Sequence, residues 1–283
     1  MTQHWSYAAS PEFDDRQFGQ WRELLERRVG MQLPDQRRSF IQTNLNIRMR
    51  EVGFSDYQSY YNHVVESAQG IAEWSVLVDR FTVQETRFFR DVASFKLVER
   101  YLEKRKQTQK LLNLWSVGCA TGEEPYSLAM IAHDVLNGEK NFSVTATDVS
   151  LPVLAKARAA SYHMRKFAQI PVDLQNRFFD YDADRFQIKP FLKSRVAFAR
   201  LNVVELERSP LKDFDVIYCQ NLLIYFRRWR RKDIANHLAE RLAPGGMLIL
   251  GSGEVTDWVP QGLTRVRDDH SLAFIKLQKQ GME

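Results

Sequence analysis

A glycine-containing turn with two adjacent carboxylates follows a buried hydrophobic run and is well suited to bind a small molecule. It covers residues 117–127 and reads Val-Gly-Cys-Ala-Thr-Gly-Glu-Glu-Pro-Tyr-Ser. Gly118 and Gly122 would let the backbone approach a ligand closely. Glu123 and Glu124 stand where a dinucleotide-binding turn would hold a pyrophosphate, which they would repel, whereas they would attract a cation. This pattern favours S-adenosylmethionine, whose amino and sulfonium groups are positive. On the sequence alone, the two glutamates could instead serve only to stabilise a helix N-terminus.

Polar residues also stand at the ends of the next three predicted strands. Asp148 ends one of them, where a carboxylate can accept hydrogen bonds from both hydroxyls of a ribose, and Asn202 and Asn221 follow two others. Taken singly, each could be a cap or a turn residue, and Ser150 could cap the helix after Asp148. Because the carboxyl ends of parallel strands meet at one edge of a sheet, these residues and Glu124 together predict a nucleoside-binding edge.

An alternating α/β sheet must position these residues. Strand-like and helix-like segments alternate from Leu111 onwards, which predicts an open, Rossmann-like sheet. Residues 160–195 are aromatic and basic without clean periodicity and are interpreted as a small inserted subdomain. The predicted strands are residues 111–117, 142–148, 196–201, 214–219, 247–251 and 271–277, and the predicted helices are residues 125–136, 151–159 and 229–242, the last ending in the Ala-Pro-Gly-Gly segment 243–246.

The N-terminal part shows helical periodicity and no strand pattern, which predicts a small all-α domain. Its predicted helices are residues 18–29, closed by Gly30, residues 41–52, closed by Gly53, a helix opened by Ser55, and a fourth over residues 72–81. The predicted organisation is therefore a helical domain at 11–80, a linker and helix at 81–110, and the α/β domain at 111–279.

Length and composition describe a globular protein with a hydrophobic core. The chain has 283 residues, 44% of them hydrophobic, which excludes the disordered and collagen-like classes. The two cysteines and six histidines show no metal-ligand spacing, so no metal is predicted. The first residues are acidic and aromatic, and no apolar run approaches the roughly 18 residues of a membrane span. These features predict a cytoplasmic protein.

Basic residues are concentrated in the first helices. Residues 16–50 contain eight Arg and three acidic residues, a balance of +5 that equals the net charge of the chain, so the α/β part is expected to be near neutral. Arg37, Arg38 and Arg48 of the second helix are interpreted as docking residues for an acidic helical partner, with a solvated helix face as the alternative. A second basic cluster, residues 227–232, could contact nucleic acid.

Five motifs occur in chain order between residue 82 and residue 246, within a match that runs from about residue 13 to residue 277. They are Thr82-x-x-x-Thr86-x-Phe-Phe-Arg90, the turn at 118–127, Ala146-Thr-Asp148, Cys219-Gln-Asn-Leu-Leu-Ile-Tyr-Phe226 and Leu242-Ala-Pro-Gly-Gly246. This series resembles the CheR-type chemotaxis-receptor protein-glutamate O-methyltransferases. The Gly-Glu-Glu-Pro-Tyr-Ser string within the turn is highly specific for that family.

The resemblance implies a helical domain preceding a class I methyltransferase fold that uses S-adenosylmethionine and releases S-adenosylhomocysteine. The implied substrates are glutamates on the cytoplasmic coiled coils of methyl-accepting receptors, so a monomer recruited to membrane receptor arrays is expected, without nucleic acid as a partner. A paralogue that serves a type IV pilus system is one form this activity could take. Carried over by position, the implied cofactor contacts are Gln84, Thr86, Arg90, Glu124 with Glu123 as the alternative, Asp148, Asn202, Val203, Asn221 and Leu222.

The implied chemistry needs no general base. A glutamate carboxylate has a pKa of about 4.3 and is already ionised near neutrality, so it can attack a sulfonium methyl directly. Arg90 and Tyr225 are interpreted as catalytic positioning groups, with the Tyr225 hydroxyl near the line of transfer. Core packing with a satisfied hydroxyl is the alternative role for Tyr225.

Three positions depart from the family pattern, and two other classes of function compete with it. Gln84 replaces an Asn, Gln220 an Arg, and Arg227 an Asp. A nucleic-acid methyltransferase usually follows the strand-end residue with Pro-Pro and an aromatic, whereas Asn221 is followed by Leu-Leu-Ile. A non-catalytic module that senses S-adenosylmethionine would lack Arg90 or Tyr225, and both are present.

Overall fold

The computed structural model describes residues 11–82, 84–108, 110–138, 141–182, 184–255 and 257–277. The chain divides into two compact units, residues 1–83 and residues 84–283. Among the described residues, none of the helices is both long enough and apolar enough to cross a bilayer.

The described residues of the first unit form four α-helices, as the sequence predicts, and a short 3-10 turn, Asp35–Arg37, between the first two. They are α1 (Asp15–Val29), α2 (Arg38–Val52), α3 (Tyr57–Glu66) and α4 (Gly70–Phe81). The predicted stops are confirmed, because Gly30 and Gly53 end α1 and α2 with φ of +74° and +83°, in the left-handed region that suits glycine. The predicted opening of α3 by Ser55 is wrong by one residue, since the Asp56 carboxylate accepts the hydrogen bond from the Ser59 N–H at 2.8 Å.

The second unit is an α/β domain, which confirms the predicted fold class. Its helices are α5 (Val92–Arg105), α6 (Glu123–Val135), α7 (Leu151–Ala159), α8 (Val172–Phe178), α9 (Pro190–Lys193) and α10 (Arg228–Glu240). Its strands are β1 (Leu112–Val117), β2 (Phe142–Asp148), β3 (Ser161–His163), β4 (Phe179–Asp182), β5 (Arg185–Ile188), β6 (Val196–Arg200), β7 (Phe214–Cys219), β8 (Leu242–Leu250), β9 (Leu263–Arg265) and β10 (Leu272–Lys276).

Seven strands form the main sheet in the order β6-β2-β1-β7-β8-β10-β9. The first five are parallel, and β10 runs antiparallel to β8 and β9. Side chains alternate between the two faces, so Leu114 lies in the hydrophobic cluster with Tyr126 of α6, and Trp115 lies in the cluster with Leu238 of α10. The direction of winding reverses between β1 and β7, which is where sheets of this kind bind ligands.

The predicted insertion at 160–195 contains a second sheet that the sequence pattern did not reveal. Three antiparallel strands pair in the order β3-β5-β4. They are only three or four residues long, so an alternating pattern has too few positions to be recognised. Phe178, Phe179 and Phe186 are fully buried there.

Two further features of the main sheet differ from the prediction. Strand β8 begins at Leu242, so the Ala-Pro-Gly-Gly segment belongs to a strand and not to a turn after a helix. The register shifts opposite Phe214 and Val216, and a side chain at Gly246 would lie 2.7 Å from the Phe214 carbonyl oxygen. Glycine is needed at this irregular pairing because two backbones approach closely. The short edge strand β9 was not predicted.

The distribution of charge also differs from the expectation. Nine Arg and eleven acidic residues precede Gln84, so the helical unit carries a net charge of −2 although its segment 16–50 is basic. The α/β unit contains the other 31 basic and 24 acidic residues and carries +7. The expected near-neutral α/β domain is therefore wrong.

Candidate active site

The turn after β1 is held against the end of β2 and the start of the segment after β7. The Gly118 and Cys119 N–H groups both donate to the Thr147 carbonyl oxygen, at 2.8 and 3.0 Å. Gly118 has φ of +75°, and a side chain there would lie 3.0 Å from a methyl group of Leu222. Glycine at this position therefore permits close packing between two strand ends.

Asp148 presents its carboxylate at the same edge. Its two oxygens accept hydrogen bonds from the Ala120 and Ser150 N–H groups, each at 3.0 Å. The cap of α7 is Ser150, whose hydroxyl accepts from the Val153 N–H. Asp148 therefore holds the turn in place at the edge where the sequence predicts a ribose contact.

The adjacent glutamates of the turn have different environments. The Glu123 carboxylate is fully buried, accepts a hydrogen bond from the Thr121 hydroxyl at 2.7 Å and pairs with the ammonium of Lys166. The Glu124 carboxylate accepts from the Ser116 hydroxyl at 2.7 Å. Burial raises the pKa of Glu124 to about 8, with a further increase from Glu254, while Ser116 and Arg90 oppose the shift. The two carboxylates therefore differ, because Glu123 is paired with a cation of the protein and Glu124 accepts from a neutral hydroxyl.

A carboxylate that sequence reasoning missed organises the segment after β7. Glu254 is buried and accepts from the N–H groups of Leu223 and Gly251, at 2.9 and 2.7 Å. Burial raises its pKa, although these backbone donors oppose the shift. It holds the segment that carries Asn221, which is exposed with φ of +58°. Glu254 follows β8 just as the polar residues follow the other parallel strands, and this position was the available signal.

Asn202 and Val203 stand at the carboxyl end of β6. The Asn202 side-chain oxygen accepts from the Val204 N–H at 3.4 Å and begins the 3-10 turn Val203–Arg208. Val203 is buried in the hydrophobic cluster on the α10 side of the sheet. Asn202 thus has the structural capping role left open by the sequence, at the edge where a ligand contact is also proposed.

The segment before α5 carries three of the predicted cofactor residues, Gln84, Thr86 and Arg90. The Arg90 guanidinium donates to the Glu85 carbonyl oxygen at 2.8 Å, and its charge acts on Glu124. The Phe89 N–H donates to the Ser127 hydroxyl at 3.1 Å, and that hydroxyl donates to the Glu123 carbonyl oxygen. The segment is therefore anchored to the first turn of α6. Gln84 and Thr86 are both partly exposed.

Tyr225 and Gln220 lie on the same segment as Asn221, and Gln220 is one of the positions that depart from the family pattern. Tyr225 ends the 3-10 turn Leu223–Tyr225 and is partly buried against the α10 side of the core. The Gln220 amide donates to the Ser94 hydroxyl at 2.7 Å and to the Asp91 carboxylate at 3.0 Å, and accepts from the Tyr218 hydroxyl. Gln220 therefore ties the end of β7 to the start of α5.

The three docking arginines do not form a common set of free cations. The Arg48 guanidinium binds the Glu73 carboxylate through two hydrogen bonds, at 2.8 and 2.7 Å, inside the helical unit. Arg38 pairs with Asp15 and donates to the Phe13 carbonyl oxygen. Arg37 lies in the 3-10 turn Asp35–Arg37 that precedes α2, so its predicted place on the second helix is wrong. Its guanidinium lies over the Phe40 ring at 4.7 Å and is partly exposed.

The basic cluster at 227–232 is also largely engaged within the protein. Arg228 pairs with Asp257 at 2.5 Å, and Arg231 donates to the Phe226 carbonyl oxygen at 2.8 Å. The Arg230 guanidinium stacks on the Trp229 ring at 4.2 Å. These contacts give the cluster a structural role and weaken the case for nucleic-acid binding.

The donor set at the carboxyl edge fits S-adenosylmethionine. Glu124 offers a carboxylate for a cation, and Asp148 offers acceptors for a ribose. Gly118 and Gly122 have positive φ and leave the turn without side chains at these two positions. The Glu123 and Glu124 carboxylates of the turn would repel a phosphate. An open sheet of this order with an acidic turn after its first strand defines a class I methyltransferase.

The chain belongs to the CheR methyltransferase family. Residues 16–82 match its all-alpha domain, and residues 84–270 match its S-adenosylmethionine-binding domain. The chain is 31% identical to a chemotaxis protein methyltransferase of Borreliella burgdorferi, over 82% of this chain and 85% of the relative. The Escherichia coli protein of the same name is also 31% identical, over 85% and 84%. Chemotaxis protein methyltransferase 1 of Pseudomonas aeruginosa is 30% identical, over 86% and 91%.

Proposed function

We propose that this protein transfers the methyl group of S-adenosylmethionine to glutamate carboxylates of chemoreceptors and forms methyl esters. The observation that carries the proposal is the turn of residues 118–124, which joins a cation-binding carboxylate to the carboxyl edge of the sheet in a chain with both CheR domains. The names of the relatives support chemotaxis as the setting, and the receptor glutamates follow from the family resemblance.

The bound cofactor supplies a methyl group activated by its sulfonium charge. Glu124 would bind the cationic amino end, Asp148 would bind the ribose, and Asn202, Val203, Asn221 and Leu222 would line the base and ribose. Gln84, Thr86 and Arg90 complete the wall formed by the segment before α5. A receptor carboxylate is ionised near neutrality, so the protein needs only to align it and exclude water.

Arg90 and Tyr225 orient the receptor carboxylate in this proposal. The Arg90 guanidinium is more than one third exposed and can attract a carboxylate, and Tyr225 follows Asn221 on the strand-end segment that Glu254 holds. Single-turnover methyl transfer tests both residues through Tyr225→Phe and Arg90→Ala. Each should slow transfer about tenfold or more, as loss of an orienting hydrogen bond does. Near-normal rates in both variants would remove them from the mechanism.

Receptor docking belongs to the helical unit, at the start of α2 and the 3-10 turn Asp35–Arg37 before it. Arg37 is the best placed of the three proposed docking residues because the charges of Arg38 and Arg48 are already met within that unit. The protein acts as a monomer on the cytoplasmic coiled coil of the receptor, and its place in the cell is the receptor array.

Tritiated S-adenosylmethionine and a receptor cytoplasmic fragment test the activity. We expect label on the fragment that is released by mild base, because glutamate methyl esters are base-labile. A fragment with its acceptor glutamates changed to aspartate is the matched control and should take up far less label. Label on nucleic acid would support the rival methyltransferase, and cofactor binding without any label would support the non-catalytic module.

A further inference from the structure

We infer that Lys166 is a positioning residue for the cofactor turn and that it couples the inserted three-stranded sheet to the site at the carboxyl edge. The inference rests on the cofactor site of the proposed function and adds a role for the insertion in holding it. Three contacts between the insertion and the site carry it.

The first contact is the ion pair between Lys166 and Glu123. The Glu123 side chain is fully buried, whereas that of Lys166 is 38% exposed. A buried carboxylate is costly without a cation beside it, so the conformation of the turn depends on this ammonium. Lys166 lies in the 3-10 turn Met164–Gln169, which directly follows β3. The insertion therefore supplies the charge that the first residue of α6 requires.

The second contact comes from Tyr162 of β3. Its hydroxyl donates to the Thr121 carbonyl oxygen at 3.0 Å. The same hydroxyl lies 3.0 Å from the position that a side chain on Gly122 would occupy, and Gly122 has φ of +96°. Tyr162 and Lys166 thus hold Thr121 and Glu123, on either side of Gly122 and immediately before Glu124.

The third contact joins the inserted sheet to the segment before α5. The Phe88 ring packs edge-to-face on the Tyr162 and Phe179 rings, with centroids 5.1 and 5.6 Å apart. Phe88 is buried and stands between Thr86 and Arg90 in the chain. The insertion therefore supports two walls of the cofactor site, and displacement of Lys166 moves the turn that carries Glu124.

Substitutions of Lys166 test this role on the full chain. Lys166→Met removes the ammonium and keeps most of the apolar body, and Lys166→Arg restores a cation. We expect Lys166→Met to weaken S-adenosylhomocysteine binding at least about tenfold in calorimetry, and Lys166→Arg to stay within about threefold of the wild type. Lys193→Met, which removes an exposed lysine from the same insertion, is the matched control and should bind like the wild type.

Hydrogen exchange separates positioning from a purely structural role. In the wild type, S-adenosylhomocysteine should slow amide exchange in β3 and β5 as well as in the turn. In Lys166→Met, the slowing in the strands should be lost while the turn keeps some of it. A loss of global stability alone would change exchange in the strands of both sheets together and would not single out β3 and β5.

Tyr162→Phe keeps the inference testable if Lys166→Met does not fold. It removes only the hydroxyl that holds Thr121 and should weaken binding about threefold or more. S-adenosylhomocysteine binding within twofold of the wild type in folded Lys166→Met would overturn the inference. If that variant fails to fold, the same result in Tyr162→Phe would overturn it. So would wild-type β3 and β5 strands whose exchange the ligand does not slow. A wild type that binds S-adenosylhomocysteine but labels no receptor would overturn the proposed function and leave this inference standing.

Discussion

At the scale of single residues, Glu123 and Glu124 show how two adjacent, identical side chains acquire different roles. Glu123 points to the insertion and is neutralised by Lys166. Glu124 points to the sheet edge and accepts a hydrogen bond from Ser116. Burial penalises the charged form of Glu124 and raises its pKa to about 8. A carboxyl group in this state is ready to ionise when a cation arrives.

Binding of S-adenosylmethionine should therefore tighten as pH rises from about 6 to about 8. The raised pKa of about 8 means that the Glu124 carboxyl is mostly protonated at neutral pH in the free protein. A bound ammonium favours the ionised form, so binding releases a proton and affinity increases with pH up to the pKa. Calorimetry in buffers of different ionisation enthalpy measures the number of protons released on binding.

Glu124→Gln should bind more weakly and lose this pH dependence. Glu99→Gln changes an exposed carboxylate on α5 and is the matched control, which should keep the wild-type slope. An unchanged slope in Glu124→Gln would assign the released proton to another group.

At the scale of elements, the turn between β1 and α6 depends on glycines for two separate reasons. Gly122 has φ of +96°, and a side chain there would also lie 3.0 Å from the Ala157 methyl group and the Tyr162 hydroxyl. Gly262 has φ of +73° but no neighbour within 4 Å. Comparing alanine substitutions at Gly122 and Gly262 therefore separates the cost of backbone strain from the cost of steric overlap.

Gly262→Ala should lower the free energy of unfolding by about 1 kcal/mol, the conformational cost alone. Gly122→Ala should cost a further ~1–3 kcal/mol, because the added methyl group forces α7 or the insertion to move. It should also weaken S-adenosylhomocysteine binding. Urea denaturation and calorimetry measure the two effects, and equal losses of stability in both variants would show that the turn can relax.

Three helices of the N-terminal unit meet at a buried polar cluster. Arg48 of α2 and Tyr60 of α3 both donate to the Glu73 carboxylate of α4. The Arg48 guanidinium holds the pKa of Glu73 below its usual range, although burial opposes this. The cluster orients α2 relative to α3 and α4, and this is a structural role for a residue that the sequence assigned to docking.

Arg48→Met should lower the stability of the helical unit by about 3–5 kcal/mol, because it leaves the Glu73 carboxylate buried without its cation. Arg27→Met breaks the exposed i,i+4 pair with Glu23, whose atoms are 3.7 Å apart, and is the matched control with an expected loss below about 1 kcal/mol. Thermal unfolding of the full chain measures both. Similar small losses would mean that water enters the Arg48 site.

At the scale of the whole molecule, net charge does not identify the docking surface. The helical unit has a net charge of −2 and the α/β unit +7, so attraction to an acidic receptor is not a property of the helical unit as a whole. The proposed docking therefore depends on the local arrangement of residues around Arg37, just before α2, where the cation lies over Phe40.

Arg37→Glu should raise the KM for a receptor fragment about fivefold and leave S-adenosylhomocysteine affinity unchanged, since rim charges act mainly on encounter. Arg27→Glu makes the same change in net charge on α1 and is the matched control, with an expected change below about twofold. Equal increases in KM in Arg37→Glu and Arg27→Glu would show that receptor binding depends on long-range charge and not on a local contact at Arg37.

The sequence by itself determined the helices that end at Gly30 and Gly53, the alternating α/β domain and the row of polar residues at the strand ends. These features follow from local spacing and backbone geometry, which act over a few residues. Only the tertiary structure decided which glutamate is neutralised, which arginines are engaged and that the insertion is a sheet. Lys166 is 43 residues from Glu123, and Arg48 is 25 from Glu73. Such partners depend on how distant elements pack, because a charge becomes costly only once packing has removed its water.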